Sequence, residues 1–307
     1  MAQYILRRLL GAIPTLLLVI VLAFLLVHAA PGGPFDSERV LPPEIEANMK
    51  AFYHLDASLP QQFFHYLGGL LRGDLGPSYS NRDYSVNELI ASKLPVSALL
   101  GGLAMMLALL VGVTAGSYAA LRQNTLTDRI VMAFAMTGIS IPVFVVAPLL
   151  VLLFAVKLNW LPAGWSSSGS NWRLLLPVTA LALPQIAYIA RLTRASMIDV
   201  LSSSYIRTAK AQGLGSAAII RYHALRPAML PVLSYLGPAI AAILTGSIVV
   251  EEIFGIPGVG RDFVRGSLSR DYTLVLGIVI TYATLIVLFN LLVDILYGVL
   301  DPRVRYR

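Results

Sequence analysis

The sequence predicts an all-α, polytopic membrane protein with six transmembrane helices. Of its 307 residues, 57% are hydrophobic and only 13% are charged, whereas about a quarter of residues are charged in an ordinary soluble domain. The mean hydropathy is +0.75. The charges leave six long charge-free runs, each close to or beyond the roughly 20 residues that cross a bilayer. These runs are residues 9–35, 94–121, 130–156, 174–190, 227–250 and 272–293.

The distribution of charge predicts the side of the membrane on which each loop lies. If the N-terminus is inside, the inside loops and both ends carry thirteen basic and three acidic residues. The outside loops then carry ten basic and twelve acidic residues, and Asp294 lies in the last helix. Because an excess of Lys and Arg marks short cytoplasmic loops, we expect both termini in the cytoplasm. The net charge of +7 therefore indicates membrane topology rather than nucleic-acid binding.

Residues 1–30 are expected to form an N-terminal tail and the first transmembrane helix. A cleaved signal peptide is the alternative, but the apolar run exceeds the roughly 7–15 residues of a signal sequence, which favours a retained helix. Residues 31–93 are expected to form an external segment, with helices beginning near Pro43 and Pro60 and a break at Gly73. This segment either caps the helix ends or docks an external partner.

Residues 94–307 are expected to form a core of five helices. Pro142 and Pro148 predict kinks in the third span, and the glycines of the second and third spans predict close helix approach. The fourth span is short and runs into Arg191 and Arg194. We expect it to continue as a helix towards the loop of residues 202–231, which joins the fourth and fifth spans inside the cell.

The loop of residues 202–231 is basic and contains no acidic residue. Its sequence predicts two short helices, the first capped by a hydroxyl from Ser202–Ser204 and ended by Gly213 in the left-handed conformation. Ser216 is predicted to cap the second helix, and Pro227 to begin the next. A basic amphipathic loop that lies on lipid headgroups is the alternative interpretation.

The run RTAKAQGL, followed by LRP, resembles the coupling loop of ABC-importer permeases. Arg207 replaces the Glu of the general consensus and Thr208 its first Ala, a variant similar to that of peptide-importer permeases. The opening YILRRLLGAIPTLLLV, the stretch EEIFGIPGVGR and the closing VDILYGVLDPRVRY resemble the same proteins. The resemblance therefore covers essentially the whole chain and indicates the oligopeptide and dipeptide importer family.

This resemblance implies a membrane-spanning subunit of an ATP-driven importer in the bacterial inner membrane, forming half of a path for oligopeptides by alternating access. A second homologous permease, two cytoplasmic ATPase subunits and an external peptide-binding protein would be its partners. The chain would bind no cofactor itself, since ATP and magnesium would belong to the ATPase subunits. Dipeptides, nickel chelates and other small ligands are alternative cargoes.

The resemblance also assigns the contact with the ATPase subunits to the loop. Ala209, Leu214 and Ile219 would enter a cleft in an ATPase subunit, while basic side chains contact its acidic rim. The predicted coupling residues are Arg207, Thr208, Ala209, Lys210, Gly213, Leu214, Ile219, Arg221, Leu225 and Pro227. No substrate-binding residue is predicted, because no helix shows a decisive polar stripe.

Other classes of function are disfavoured by the residues present. An intramembrane enzyme needs a nucleophile beside a base, but none of the four histidines (His28, His54, His65 and His223) is expected deep in a span. The sequence has neither a metal-binding HExxH motif nor a phosphate-binding GxxxxGK[ST] motif. An ion-coupled carrier usually has ionisable residues within its spans. Only Asp294 comes near that description, and we expect it to lie near Arg303 or Arg305.

Overall fold

The computed structural model describes residues 2–33, 55–81, 83–165 and 171–300, together with positions 44, 48, 51 and 53. Three features named above lie outside these ranges. They are the helix predicted near Pro43, the side chain of His54, and the basic residues Arg303 and Arg305. The α-helices are α1 (Ala2–Ala29), α2 (Leu59–Leu71), α3 (Val86–Leu121), α4 (Leu126–Ser140), α5 (Val143–Leu150), α6 (Leu175–Leu201), α7 (Ser204–Ala211), α8 (Ser216–Ala218), α9 (Leu225–Ala228), α10 (Leu230–Phe254), α11 (Val259–Leu268) and α12 (Tyr272–Leu300).

Five of these helices are long and apolar enough to cross a membrane, namely α1, α3, α6, α10 and α12. The third predicted span is divided into α4 and α5, which meet at an angle of 107°, so the count is six if this bent pair is one span. The prediction of an all-α polytopic membrane protein is confirmed.

The break between α4 and α5 falls at Ile141. A residue before proline is disfavoured in the helical conformation, and Ile141 is extended, with φ −104° and ψ 120°. Pro142 then begins α5 as its N-cap residue. The predicted kink at Pro142 is thus a complete break, whereas Pro148 lies inside α5 shortly before the helix widens into a π-helical turn at Val151–Lys157.

The chain divides into two compact units, each of which is described by itself. The first comprises residues 1–9, 98–256 and 286–307, and the second comprises residues 10–97 and 257–285. The sequence-based division into residues 1–30, 31–93 and 94–307 rests on membrane topology rather than on compactness, and it stays a prediction.

In the first unit, α6 is approached closely by the glycines of two other helices. A Cβ atom added to Gly112 of α3 would lie 2.8 Å from the Ile189 side chain. One added to Gly116 would overlap the carbonyl oxygen of Ala190, and one added to Gly138 of α4 would lie 2.7 Å from a carbonyl oxygen of α6. The predicted close approach is confirmed at these three positions.

In the second unit, α2 begins after Ser58, whose backbone N–H donates a hydrogen bond to Oε1 of Gln61. Pro60 lies in the first turn and Gly73, with φ +78°, follows the helix, both as the sequence predicts. The core of this unit includes Phe24 of α1 and residues of α12. An ion pair between Lys93 and Asp262 joins α3 to α11.

Candidate functional site

The predicted coupling loop begins where α6 ends. Ser203 is the N-cap residue of α7, within the predicted Ser202–Ser204 run, and its backbone is extended. Its hydroxyl does not accept a hydrogen bond from α7, which corrects the predicted cap. It donates instead to the carbonyl oxygen of Val200 at 2.6 Å, and the Ser202 hydroxyl donates to that of Asp199 at 2.8 Å. Both hydroxyls thus satisfy carbonyl groups at the end of α6.

Gly213 ends α7 in the left-handed conformation, with φ +83°. The N–H of Leu214 donates to the carbonyl oxygen of Ala209 at 3.2 Å, and the N–H of Gly213 donates to that of Lys210 at 3.0 Å. These two bonds form a Schellman motif. The predicted role of Gly213 is confirmed, and it concerns only the backbone, because an added Cβ would have no neighbour within 4 Å.

The second half of the loop is one continuous helical run over residues 216–228, whereas the sequence predicted one helix capped by Ser216 and another that begins at Pro227. Gly215 is the N-cap residue and Ser216 is already helical, which corrects the predicted cap. The run continues as a π-helical turn over Ile219–Ala224 and then as α9, which contains Pro227. Proline has no N–H to donate to the preceding turn of a helix, and the wide π-helical turn before α9 accommodates this loss at Pro227. Pro227 therefore does not begin a helix; α10 begins at Leu230, with Pro231 in its first turn.

A hydrophobic cluster holds the loop against the end of α6. Its buried members are Ala120, Met197, Ile206, Ala209, Ile219, Ala224 and Ala228, and Leu225 packs against it. Ala209 and Ile219 are only 6% and 2% exposed, so the expectation that they enter a cleft of a partner is wrong. Their burial fixes the loop to α6, because each buried apolar side chain opposes separation of the two.

The outward face of the loop is basic and partly aromatic. The predicted residues Arg207, Thr208, Lys210, Leu214 and Arg221 are exposed, while Pro227 is half-buried. Sequence reasoning missed two exposed aromatic residues, Tyr205 and Tyr222. The sequence could have indicated them, because Tyr205 and Tyr222 lie within two residues of Arg207 and Arg221. In the structure, the Arg221 guanidinium lies 5.5 Å from the centroid of the Tyr222 ring.

A buried ion pair connects the end of α6 to the first turn of α4. Arg194 donates from Nε to Oδ1 of Asp128 at 2.6 Å and from Nη2 to Oδ2 at 2.7 Å. The Asp128 side chain is only 4% exposed. Asp294 of α12 forms a more exposed pair, with its Oδ2 3.2 Å from Nε of Arg8. The neighbours predicted for Asp294, Arg303 or Arg305, lie outside the described residues, so that expectation stays a prediction.

In the second unit, Asp271 organises the start of α12. Its Oδ2 accepts hydrogen bonds from the hydroxyls of Ser78 at 2.5 Å and Ser80 at 2.7 Å. Its Oδ1 accepts from the N–H of Leu274 at 3.1 Å. Burial favours the neutral acid, but the hydrogen bonds from Ser78 and Ser80 outweigh it and hold the pKa of Asp271 below its usual value.

A cavity of about 310 Å³ lies beside this network. Its walls include Tyr53, Tyr66, Tyr79 and Tyr272, and burial raises the pKa of Tyr66 and Tyr79 above the ordinary range. His28 also lines the cavity, where its Nδ1 is 2.8 Å from the carbonyl oxygen of Phe24. Among the described residues, no group of His, Asp and Glu has an arrangement that would hold a metal ion.

The long apolar helices, together with the basic loop fixed to α6, define an all-α polytopic membrane protein. Residues 112–306 match the family described as "Binding-protein-dependent transport system inner membrane component". Residues 1–101 match the corresponding N-terminal family, "Binding-prot-dependent transport system membrane comp, N-term". The chain therefore belongs to the family of binding-protein-dependent transport system inner membrane components, and the resemblance to ABC-importer permeases is confirmed.

Three relatives show how far the similarity extends. The chain is 53% identical to the "Oligopeptide transport system permease protein OppB" of Haemophilus influenzae, over 100% of both chains. It is 55% identical, again over 100% of both chains, to the protein of that name from Escherichia coli K12. It is 43% identical to the "Dipeptide transport system permease protein DppB" of Bacillus subtilis, over 99% of this chain and 98% of that protein.

Proposed function

We propose that this protein is one of two membrane-spanning subunits of an ATP-driven importer of oligopeptides. The observation that carries the proposed cargo is the 53–55% identity, over the full length, to proteins named as oligopeptide permeases. The 43% identity to a protein named as a dipeptide permease makes dipeptides the second candidate.

The proposed partners are a second related permease, two cytoplasmic ATPase subunits and an external binding protein. ATP and magnesium would be bound by the ATPase subunits, because this sequence contains no GxxxxGK[ST] motif. The excess of Lys and Arg in one set of loops supports a topology with both termini and residues 202–231 in the cytoplasm. The loop would then face the ATPase subunits.

The proposed mechanism is alternating access driven through the loop. Arg207, Lys210 and Arg221 would contact acidic groups on an ATPase subunit, and the exposed side chains of Leu214 and Tyr222 would supply apolar contact. Because the hydrophobic cluster fixes the loop to α6, displacement of the loop would tilt α6 with it. ATP can favour one state of the permease only if its ATPase contacts differ in free energy between the two states.

Co-purification followed by uptake measurements tests this proposal. The tagged chain should bring down a second permease and two ATPase subunits, and the reconstituted complex should import a labelled pentapeptide when the binding protein is present. We expect the triple variant R207A/K210A/R221A to lose substrate-stimulated ATP hydrolysis. The control is R122Q, which removes an exposed charge from the α3–α4 turn.

Two outcomes would contradict the proposal in different ways. Failure to recover ATPase subunits with the wild-type chain would contradict the importer assignment itself. Import of a dipeptide in preference to the pentapeptide would move the cargo to the second candidate.

A further inference from the structure

We propose that Asp128 and Arg194 are positioning residues for transport, which make α4 move as one body with α6 and the coupling loop. The inference rests on the proposed function, because it assumes that an ATPase subunit displaces the loop. It adds the route by which that displacement reaches the third span. The route consists of a buried ion pair, a close glycine contact and the break at Ile141.

The ion pair fixes the two helices to each other with little freedom. Both oxygens of Asp128 are engaged by the planar guanidinium of Arg194, at 2.6 and 2.7 Å. Oδ2 also accepts a hydrogen bond from the N–H of Asn124 at 3.0 Å. A bidentate pair restricts rotation as well as distance. Because the carboxylate is nearly enclosed, water cannot readily replace its partner.

A second attachment lies further along the same two helices. Gly138 of α4 lies so close to α6 that an added Cβ would come within 2.7 Å of the carbonyl oxygen of Leu183. With a rise of about 1.5 Å per residue, the ten residues from Asp128 to Gly138 place the attachments roughly 15 Å apart. Two attachments separated along a helix oppose both sliding and tilting, so α4 follows α6.

The loop is joined to the same part of α6. Met197 lies about one helical turn beyond Arg194 and is buried in the hydrophobic cluster with Ile206 and Ala209 of α7. A displacement of the loop is therefore applied to α6 within about one turn of the ion pair. The pair is the polar, directional connection between this point and α4.

The break between α4 and α5 lets α4 move without carrying α5 rigidly with it. The connection passes through the single extended residue Ile141, after which Pro142 accepts the first hydrogen bonds of α5. Hinges are commonly a few residues at the ends of elements that absorb changes in φ and ψ. The structure thus assigns Ile141 to the point where the movement of α4 is separated from α5.

The test uses the complete complex of both permeases and two ATPase subunits in lipid nanodiscs. We expect D128N and R194Q to reduce the ratio of substrate-stimulated to basal ATP hydrolysis by about fivefold or more, the usual lower range of coupling between sites. The variants D128E and R194K keep one charge-assisted contact and should recover part of that ratio. The control is R8Q, which removes the exposed pair with Asp294 and should leave the ratio unchanged.

A distance measurement separates positioning from a merely structural role. Spin labels at Gln123, before α4, and at Ser216, in the loop, both occupy exposed positions. In the wild-type complex we expect their separation to remain the same with and without ATP, whereas in D128N the distribution should broaden or shift with nucleotide. A label at Lys157, which ends the π-helical turn after α5, should change its separation from a label at Ser216 even in the wild type.

Normal stimulation in D128N at normal assembly, or a 123–216 distance that changes with nucleotide in the wild type, would overturn the inference. If D128N fails to assemble, R194Q provides the same comparison; wild-type stimulation in R194Q at normal assembly would also count against the ion pair. Absence of stimulation in the wild-type complex would instead contradict the proposed function. The two failures are therefore distinguishable.

Discussion

Gly213 is required by its backbone conformation and not by the space around it. Its φ is +83°, yet a side chain at this position would meet nothing within 4 Å. A larger residue therefore costs only conformational strain, and residue types differ in that cost. Asn enters the left-handed region far more readily than a β-branched residue does.

We expect Gly213→Val to disrupt coupling while leaving membrane insertion intact. A β-branched residue at positive φ costs roughly 1–3 kcal/mol, which would open the turn between α7 and α8. Gly213→Asn is the matched control and should retain most activity. The measurement is substrate-stimulated ATP hydrolysis per assembled complex; normal coupling in the Val variant at normal abundance would contradict the prediction.

Asp271 makes stability depend on pH, and the sign follows from its lowered pKa. The ionised carboxylate is favoured in the folded protein, so its contribution is present above its unfolded pKa of about 3.9 and is lost as pH falls through the lower folded value. We expect Asp271→Asn to reduce stability at pH 7 by roughly 1–3 kcal/mol. The difference from wild type should narrow below about pH 4.

Thermal unfolding in detergent at several pH values measures this effect. Asp74→Asn is the control, because Asp74 is exposed and its Oδ1 accepts a hydrogen bond from the N–H of Gly76. It should change stability by within about 0.5 kcal/mol. A constant difference between wild type and Asp271→Asn from pH 7 to pH 3 would contradict the assignment.

The sequence predicted the turn at Gly213 because that signal is local, but it did not predict which loop residues are buried. Ala209 and Ile219 lie among basic residues in sequence, and their burial depends on Ala120 and Met197, which are distant along the chain. The pairing of Asp128 with Arg194 has the same origin. Opposite charges 66 residues apart become partners only when the packing of α4 on α6 is known.

At the scale of elements, sequence located the helices well and their interruptions less well. The charge-free runs 94–121 and 272–293 lie within α3 and α12, and the other four overlap the observed helices, because apolar length is itself the physical requirement for crossing a bilayer. Pro142 marked an irregularity, but the angle of 107° depends on the helices against which α4 and α5 pack. The start of α10 was misplaced because Pro227 is accommodated after a π-helical turn.

The proposed orientation of the elements predicts the side from which each loop can be labelled. Cysteine substitutions are clean, because the chain contains no cysteine. We expect Ser216→Cys to react with an impermeant maleimide only after the membrane is opened, and Ser267→Cys to react in intact cells. Both positions are exposed, and the Ser267 hydroxyl donates to the carbonyl oxygen of Phe263 in its own helix. Labelling of Ser216→Cys in intact cells would overturn the orientation.

At the scale of the whole molecule, the second unit presents two kinds of surface that suit different neighbours. Large apolar side chains on α1, such as Leu18, Leu25 and Leu26, are exposed in the isolated chain, as expected for contact with lipid or another membrane subunit. The same unit also presents exposed carboxylates, including Asp56 and Asp83. We propose that the external segments form a landing surface for the binding protein, with capping of the helix ends as the alternative.

Charge reversal at this surface distinguishes docking from capping. We expect D56K/D83K to slow capture of the loaded binding protein and to make capture more sensitive to salt, because rim charges act mainly on association rates. Stopped-flow association at low and high salt is the measurement. The control is D199K, an exposed residue at the end of α6, which should leave capture unchanged. Unchanged capture by D56K/D83K at low salt would favour capping.

The close glycine contacts around α6 also have a consequence for how the chain is synthesised. Of the five continuous spans, α6 with its preceding turn is the least apolar, and 56% of its most apolar stretch is buried, against 17% for α1. A weakly apolar segment enters the bilayer poorly by itself, whereas α1 has the composition of a segment that inserts alone. Helices α3 and α4 are synthesised before α6, so Gly112, Gly116 and Gly138 are already present for α6 to pack against. We therefore expect bulky substitutions at these glycines to reduce the insertion of α6 into the bilayer during translation.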